Sequence, residues 1–461
     1  MIFTQYYLDC LSQASYLIGD DTTGRAVVVD PRRDIDEYVR DAAAAGLTIE
    51  LVLETHFHAD FLSGHLELAA ATGAAIGYSS VAKTEFDSRP LADGERIELG
   101  EVVLEIRHTP GHTPESISIV VWEHANDAEP YGVLTGDALF IGDVGRPDLL
   151  ASFGFTRDEL AEQLYDSVHD KLLTLPDATR VYPAHGAGSA CGKNLSTDTW
   201  STIGDQRTSN YALAAPDKAA FVDLVTEGQP PAPSYFVYDA ERNRQDRALH
   251  DEAVAPDALA LTDVDALVAA GAVLLDGRDP VEFARGHISG SINVGLEGRY
   301  AEFAGSVIEP HVDIVLIVEP GLEREARTRL ARIGFDRVVG ALSDPLAAMA
   351  AHPERIARAS RLTALELAER RRSVDDLQLV DVRNPGEVAL GSIEGALPIP
   401  VGQLPGRLDE LDSARPTVVF CAGGYRSSVA ASVLRRSGFH DVSDVLRGFG
   451  AWRNLADASV H

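Results

Sequence analysis

Thr55-His56-Phe57-His58-Ala59-Asp60-Phe61-Leu62-Ser63-Gly64-His65 follows a short apolar run, Leu51-Val52-Leu53, that predicts a buried β-strand. Three imidazoles and a carboxylate therefore stand where a strand gives way to a loop. Histidine is a common metal ligand, and His-x-His-x-Asp converges on one point only if the backbone turns sharply there. A solvated loop with chance histidines is the plain alternative. With 14 His in 461 residues, three within ten positions and patterned with an Asp weigh against it.

Working outward, residues 1 to about 250 alternate strands and helices. Strands are predicted at 25–30, 51–53, 102–106, 117–122, 132–135 and 179–182, with a helix over 35–42 ending near Gly46. Four strands deliver a metal-type residue just past their carboxyl ends: His56 with His58 and Asp60, then His112, Asp137 and His185. In sheets wrapped by helices, sites form where strand ends converge.

The order and local sequences resemble the metallo-β-lactamase superfamily, which implies an α/β fold, an αβ/βα sandwich, over roughly the first half. Dinuclear zinc hydrolases of that superfamily carry a second-metal ligand directly after the motif's Asp; here that position is Phe61. One metal held by His56, His112 and Asp137 is then the natural set. Two His and one carboxylate leave open positions, as in non-haem Fe(II) and O₂ chemistry. This resembles the persulfide dioxygenases, with one Fe(II) per chain and His58, Asp60 and His185 orienting ligands or substrate. Arg146, on the turn Gly142-Asp143-Val144-Gly145-Arg146-Pro147-Asp148, can hold a substrate carboxylate bidentately or pair with Asp143 or Asp148. A similar Gly-Arg in the family tilts the reading toward substrate. Cys191, six residues past His185, is a candidate sulfur relay, although a buried lone cysteine is more often inert. Cys10 reads as core.

Gly228-Gln229-Pro230-Pro231-Ala232-Pro233 and the charged run 241–247 predict the edge of this domain. Beyond it lies a repeat of about 100 residues. Leu275-Asp276-Gly277-Arg278-Asp279-Pro280 matches Val380-Asp381-Val382-Arg383-Asn384-Pro385, and Gly286-His287-Ile288-Ser289-Gly290-Ser291 matches Gly391-Ser392-Ile393-Glu394-Gly395-Ala396. These resemble rhodanese signatures, implying two small α/β domains with parallel sheets. The expected domains are 1–255, 256–355 and 356–461. In the last, Cys421-Ala422-Gly423-Gly424-Tyr425-Arg426 lies between the strand 417–420 and a helix stopping near Gly438. Backbone N–H groups and a positive dipole end there favour a thiolate or an anionic persulfide. The resemblance implies Cys421 and Arg426 as catalytic, with Gly423, Gly424 and Tyr425 lining the bound sulfur. The middle copy has no cysteine; aligning Gly334-Phe335 with Gly438-Phe439 sets Ile317 opposite Cys421, and Glu319 adds negative charge. It resembles a degenerate rhodanese, and the whole order resembles bacterial fusions of persulfide dioxygenase, inactive rhodanese and active rhodanese.

The totals bound the partners. A net charge of -31 argues against nucleic acid and anionic membranes, whose phosphates demand Lys and Arg. The start shows no signal peptide, and no apolar run is long enough to span a bilayer. Three scattered cysteines suit a reducing cytoplasm. The expectation is Fe(II)-dependent oxidation of a small thiol persulfide by O₂ to sulfite, and transfer of sulfane sulfur from Cys421 to sulfite, giving thiosulfate. A homo-oligomer is expected. The alternative is a glyoxalase II-like thioester hydrolase fused to a sulfurtransferase.

Overall fold

Successive strand residues point to opposite faces, so Val27-Val28-Val29 can be buried throughout only if both faces of the sheet are covered. The computed structural model, which describes residues 1–149 and 154–458, places Val27 and Val29 in a core shared with a second sheet, and Val28 in a core shared with helices. The first sheet contains, in spatial order, Ile2–Leu8, Gln13–Asp20, Arg25–Val29, Thr48–Leu53, Ala75–Ser79 and Arg89–Leu91. The second contains Arg96–Glu98, Val103–His108, Ile117–Trp122, Gly132–Gly136, Arg180–Pro183 and Ser201–Thr202. Leu51 and Leu53 meet Leu104, Ile106, Ile119 and Leu134 between them. Helices Asp36–Ala44 and His65–Thr72 cover the first sheet with Tyr38 and Leu68; Arg157–Asp166 and Lys218–Thr226 cover the second with Leu164 and Phe221. The layers are αβ/βα. Cys10, expected in the core, is instead half-buried in the turn joining the first two strands.

The chain forms two units, Met1–Ala232 with Phe236–Asp251, and Pro233–Tyr235 with Glu252–His461. The charged run 241–247 belongs to the first unit, close to its end. It braces the histidine loop. Asn243 Nδ2 donates to the carbonyls of His58 (2.8 Å) and Phe61 (2.9 Å), and its Oδ1 accepts the Ser63 N–H at 2.8 Å. Arg247 donates to the Ser63 carbonyl and, at 2.7 Å, to Glu67, which also receives Arg33 at 2.8 Å and the His250 N–H at 3.0 Å.

The second unit holds two five-stranded parallel sheets of the same order. One contains Ala258–Leu259, Val338–Leu342, Ile314–Ile317, Val273–Asp276 and Ile292–Asn293. The other contains Ser360–Leu362, Val442–Val445, Thr417–Phe420, Gln378–Asp381 and Leu397–Pro398. Their registers correct the repeat alignment. Asp276 pairs with Ile317 as Asp381 pairs with Phe420. Ile317 thus corresponds to Phe420, and the residue at the cysteine position is Val318. The helix-end alignment slipped by one because the two loops and helices differ in length.

Glu67 sets an acid limit on the first unit. Burial alone would raise its carboxyl, but Arg247 and Arg33 outweigh that and hold it down to about 2. A carboxyl depressed on folding stabilises above its unfolded value and loses that stabilisation as pH falls through the folded one. The loss should run from about pH 4.5 down to about 2 and total on the order of 3 kcal/mol. Denaturant titrations at pH 5 and pH 3 should show about half of it, on the order of 2 kcal/mol, with Glu67→Gln flattening the difference.

Candidate metal centre and transfer loop

Each candidate ligand sits just past a strand. His56 follows Thr48–Leu53 in the first sheet; Asp137 follows Gly132–Gly136, and His112 lies on the loop between Val103–His108 and Ile117–Trp122 in the second. The Ile117 N–H donates to the Thr55 carbonyl at 2.8 Å, joining the two loops at the mouth of the sandwich. The ligand atoms of His56, His112 and Asp137 lie within 4.8 Å of one another, and all three residues are buried. Asp137 Oδ2 is 3.4 Å from His112 Nε2 and 3.8 Å from His56 Nε2. Ligand atoms about 2.1 Å from one cation in tetrahedral geometry are about 3.4 Å apart.

Hydrogen bonds decide which ring nitrogens are bare. The Thr55 hydroxyl gives its one proton to Asp30 Oδ2 at 2.9 Å, so it accepts from His56 Nδ1 at 2.9 Å. His112 Nδ1 faces the Arg146 carbonyl at 2.9 Å, which only accepts. Both rings therefore carry their proton on Nδ1 and offer Nε2 as a lone pair. Burial, reinforced by His58, holds His56 well below the usual histidine range, so it stays neutral. His56 Nε2 and Asp137 Oδ2 are buried and find no hydrogen-bond partner among the described residues. Buried polar atoms are rarely left so. Bare atoms aimed at a common point fit a single cation.

The other predicted residues surround this set. His185 Nδ1 is 2.7 Å from Asp137 Oδ1, and its Nε2 is 2.8 Å from Asp60. Burial opposes its charge, but Asp137 and Asp60 outweigh that and push the imidazole well up. His58 Nε2 is 3.1 Å from Asp30 and 3.5 Å from Glu54. Burial would strip its proton, yet Asp30, then Glu54, hold it up to about 10. Phe61 packs its ring 4.3 Å from that of His58. Cys191 gathers with Asp137 and His185 within 4.8 Å. Burial, with the charges of Asp60 and Asp137, pushes its thiol well up, so it remains protonated.

Arg146 takes the second of its two expected readings, the pair with Asp148. Nε and Nη2 make a bidentate pair with Asp148 at 2.7 and 2.8 Å, and Nη1 donates to the Ala190 carbonyl at 3.0 Å. The fork that would grip a substrate carboxylate is engaged within the protein, and Arg146 ties its turn to the Cys191 loop. Sequence reading missed Asp30, Glu54 and Asn243. Asp30 and Glu54 also stand at strand ends, so the rule that found the ligands could have found them. Asn243 comes from nearly two hundred residues away and gave no signal.

In the second unit Cys421 is buried between strand Thr417–Phe420 and helix Tyr425–Arg436. The Gly424 N–H donates to its Sγ at 3.0 Å, and Ser427 Oγ lies 3.6 Å from it. Gly423 is exposed beside it. Arg426 holds Glu387 bidentately at 2.6 and 2.7 Å, and Cys421 is among the groups that favour its charge. Tyr425 was expected to line the sulfur site; its hydroxyl instead donates to the Gly295 carbonyl of the middle copy at 2.6 Å.

The middle copy keeps the loop and inverts its chemistry. Gly321 adopts φ +95° where Gly424 adopts +106°, a left-handed backbone suited to glycine. The Gly321 N–H donates to its own chain's Glu323 carboxylate at 2.9 Å. Glu323 stands where the other copy has Arg426, so an internal carboxylate fills the anion position. Glu319, expected to do this, is exposed instead.

Comparison with known proteins agrees with this division. The metallo-beta-lactamase superfamily profile matches residues 8–185, and the rhodanese-like domain profile matches 260–346 and 363–455. Mitochondrial persulfide dioxygenase ETHE1 of Bos taurus is 34% identical over 203 residues, 43% of this chain and 70% of the relative. The cytoplasmic hydroxyacylglutathione hydrolase of Arabidopsis thaliana is 32% identical over 183 residues, 39% of this chain and 66% of the relative. A crystal structure of a metallo-beta-lactamase from Staphylococcus aureus subsp. aureus COL superposes with TM-score 0.66 at 33% identity, over 74% of this chain and 98% of that one. The chain belongs to the metallo-beta-lactamase superfamily, with persulfide dioxygenases as homologues of its N-terminal domain and two rhodanese-like domains following it.

His112→Ala should abolish retained metal after dialysis against a chelator, whereas Thr55→Ala, which keeps every ligand, should weaken metal affinity roughly ten- to a hundredfold. Val318→Cys in a Cys421→Ser background should remain silent in thiosulfate:cyanide transfer, with activity appearing only when Glu323→Arg also frees the Gly321 N–H.

Proposed function

We propose that the chain is a persulfide dioxygenase fused to a sulfurtransferase. It holds one Fe(II) through His56, His112 and Asp137, oxidises a low-molecular-weight thiol persulfide with O₂ to sulfite, and transfers sulfane sulfur through Cys421 to sulfite, giving thiosulfate. At the coarser level the chain is an enzyme of sulfur metabolism. The observation that carries the finer reading is the donor set: two imidazoles that present Nε2 and one carboxylate, with Phe61 where a second-metal ligand would stand. Such a set leaves positions open to dioxygen and substrate.

Iron, when bound there, supplies the activation of O₂. The chain's own groups hold that centre in one geometry. Asp30, through Thr55, fixes the His56 ring, the Arg146 carbonyl fixes His112, and His185 fixes the Asp137 carboxylate. The stoichiometry closes with one persulfide anion, one O₂ and one water giving one thiolate, one sulfite and two protons. In the second reaction the Cys421 thiolate takes the outer sulfur of a persulfide and releases the thiol. Sulfite then attacks that sulfur, the sulfur–sulfur bond to Cys421 breaks, and thiosulfate leaves. The Gly424 N–H is placed to stabilise the sulfur anion at both ends of this cycle. The thioester-hydrolase reading is less supported, because efficient metal-bound hydroxide in this superfamily usually relies on the second metal. We place the reactions in a reducing compartment, the cytoplasm, on the chain's free cysteines.

Metal analysis and oxygen uptake with a thiol persulfide test the reading together. Stoichiometric iron and persulfide-dependent uptake are expected; two zincs and thioester hydrolysis would replace it with the hydrolase. Cys421→Ser should leave uptake intact and shift the sulfur product from thiosulfate to sulfite, measured against a protein-free control for the spontaneous reaction. Wild-type thiosulfate yield from that variant would remove Cys421 as the nucleophile and direct attention to Cys191.

A further inference from the structure

The helix that begins beside Cys421 is seated on the other copy. Tyr425, Ser428 and Ser432 lie at i, i+3 and i+7 of helix Tyr425–Arg436, hence on one face. All three reach the cysteine-less copy. Tyr425 Oη donates to the Gly295 carbonyl at 2.6 Å. Ser428 Oγ donates to Asn293 Oδ1 at 2.8 Å, and the Asn293 N–H donates to Ser432 Oγ at 2.9 Å. Asn293 is itself pinned, its Nδ2 donating to the carbonyls of Asp276 and Arg278, both at 3.0 Å.

The seat is shaped for an aromatic ring. A Cβ on Gly298 would come within 2.3 Å of the Tyr425 ring, so only glycine lets the ring lie there. Arg329 donates to the Gly298 carbonyl at 2.7 Å and to the Leu296 carbonyl, which stiffens the turn. Phe303 also packs on that ring, with centroids 5.5 Å apart. Burial pushes the Tyr425 phenol well up, so it remains a donor at neutral pH.

Gly424, whose N–H meets the Cys421 sulfur, is joined directly to Tyr425. Ser427, 3.6 Å from that sulfur, is joined directly to Ser428. The groups that contact the sulfur are thus each one peptide bond from a residue anchored in the other copy. We propose that the cysteine-less copy is the positioning half of the sulfurtransferase: through Gly295, Gly298 and Asn293 it grips Tyr425 and Ser428, and so holds the Gly424 N–H and Ser427 against the Cys421 sulfur. Tyr425 is a positioning residue, because it touches the neighbouring copy and not the sulfur. The inference rests on Cys421 being the transfer nucleophile, and it explains why a copy that carries no cysteine retains a complete fold.

The full-length holoenzyme serves for the test, with Gly298→Ala, which intrudes on the Tyr425 ring while leaving every residue of the active copy unchanged, and Tyr425→Phe, which deletes only the hydroxyl. Thiosulfate:cyanide transfer and the pH profile of Cys421 alkylation by iodoacetamide are read in parallel. Alkylation is followed in a Cys10→Ser/Cys191→Ser background so that one thiol reports. Gly298→Ala should lower kcat roughly tenfold with KM for thiosulfate within about twofold, and move the alkylation midpoint up by about one pH unit, the effect of losing one hydrogen bond to a charged sulfur. Tyr425→Phe should move both readouts the same way by a smaller factor. Oxygen uptake should match wild type in both. Wild-type kcat and an unshifted alkylation profile in Tyr425→Phe and Gly298→Ala would overturn the proposal. Should Gly298→Ala unfold the second unit by limited proteolysis, Tyr425→Phe alone decides by the same criteria. Cys421→Ser separates the two levels: full transfer in that variant refutes the nucleophile, whereas its loss alongside unaffected Tyr425→Phe and Gly298→Ala refutes the positioning role alone.

Discussion

The Asp137 carboxylate is buried, and a buried carboxylate must be met by charge and hydrogen bonds or it will not stay ionised. Its two oxygens are met differently. Oδ1 lies 2.7 Å from His185 Nδ1, and Oδ2 faces His56 and His112 without a hydrogen-bond donor among the described residues. Burial would raise the carboxyl, but His185, then His112, hold it far below the usual carboxylate range. The neighbours are fixed by the same need. His56 and His112 keep their protons on the far nitrogen, His185 is backed by Asp60, and Thr55 is held by Asp30 in a left-handed backbone with φ +50°. Non-glycine residues in that region cluster at functional sites, where surrounding structure holds them.

The second unit shows one fold serving two chemistries by a change of filling. Both copies end the same strand with the same loop and a left-handed glycine. One N–H meets a sulfur; the other meets a carboxylate from its own helix. In the middle copy an internal carboxylate satisfies the backbone donor that in the last copy meets the sulfur. The copies share their strand order and the left-handed glycine, and differ in the side chains that the loop carries.

Much of this was legible in the chain itself. Short apolar runs ending in His or Asp marked the strand ends, because strand burial is encoded locally by residue type. The repeated Asp-x-Arg and Gly-x-Ile segments marked the two copies, and the resemblance of Cys421-Ala422-Gly423-Gly424-Tyr425-Arg426 to a rhodanese loop singled out Cys421. The tertiary structure alone decided the rest. Whether Arg146 faces substrate or Asp148 turns on a choice between acceptors that sequence cannot rank. That Val318, and not Ile317, replaces the cysteine follows from strand register, which hydrogen bonds between distant segments set. The grip of Asn243 on the histidine loop, and of Gly295 on Tyr425, joins residues more than a hundred positions apart. Local pattern names the residues able to do chemistry; only packing, which brings remote backbone carbonyls to particular donors, determines where those donors point.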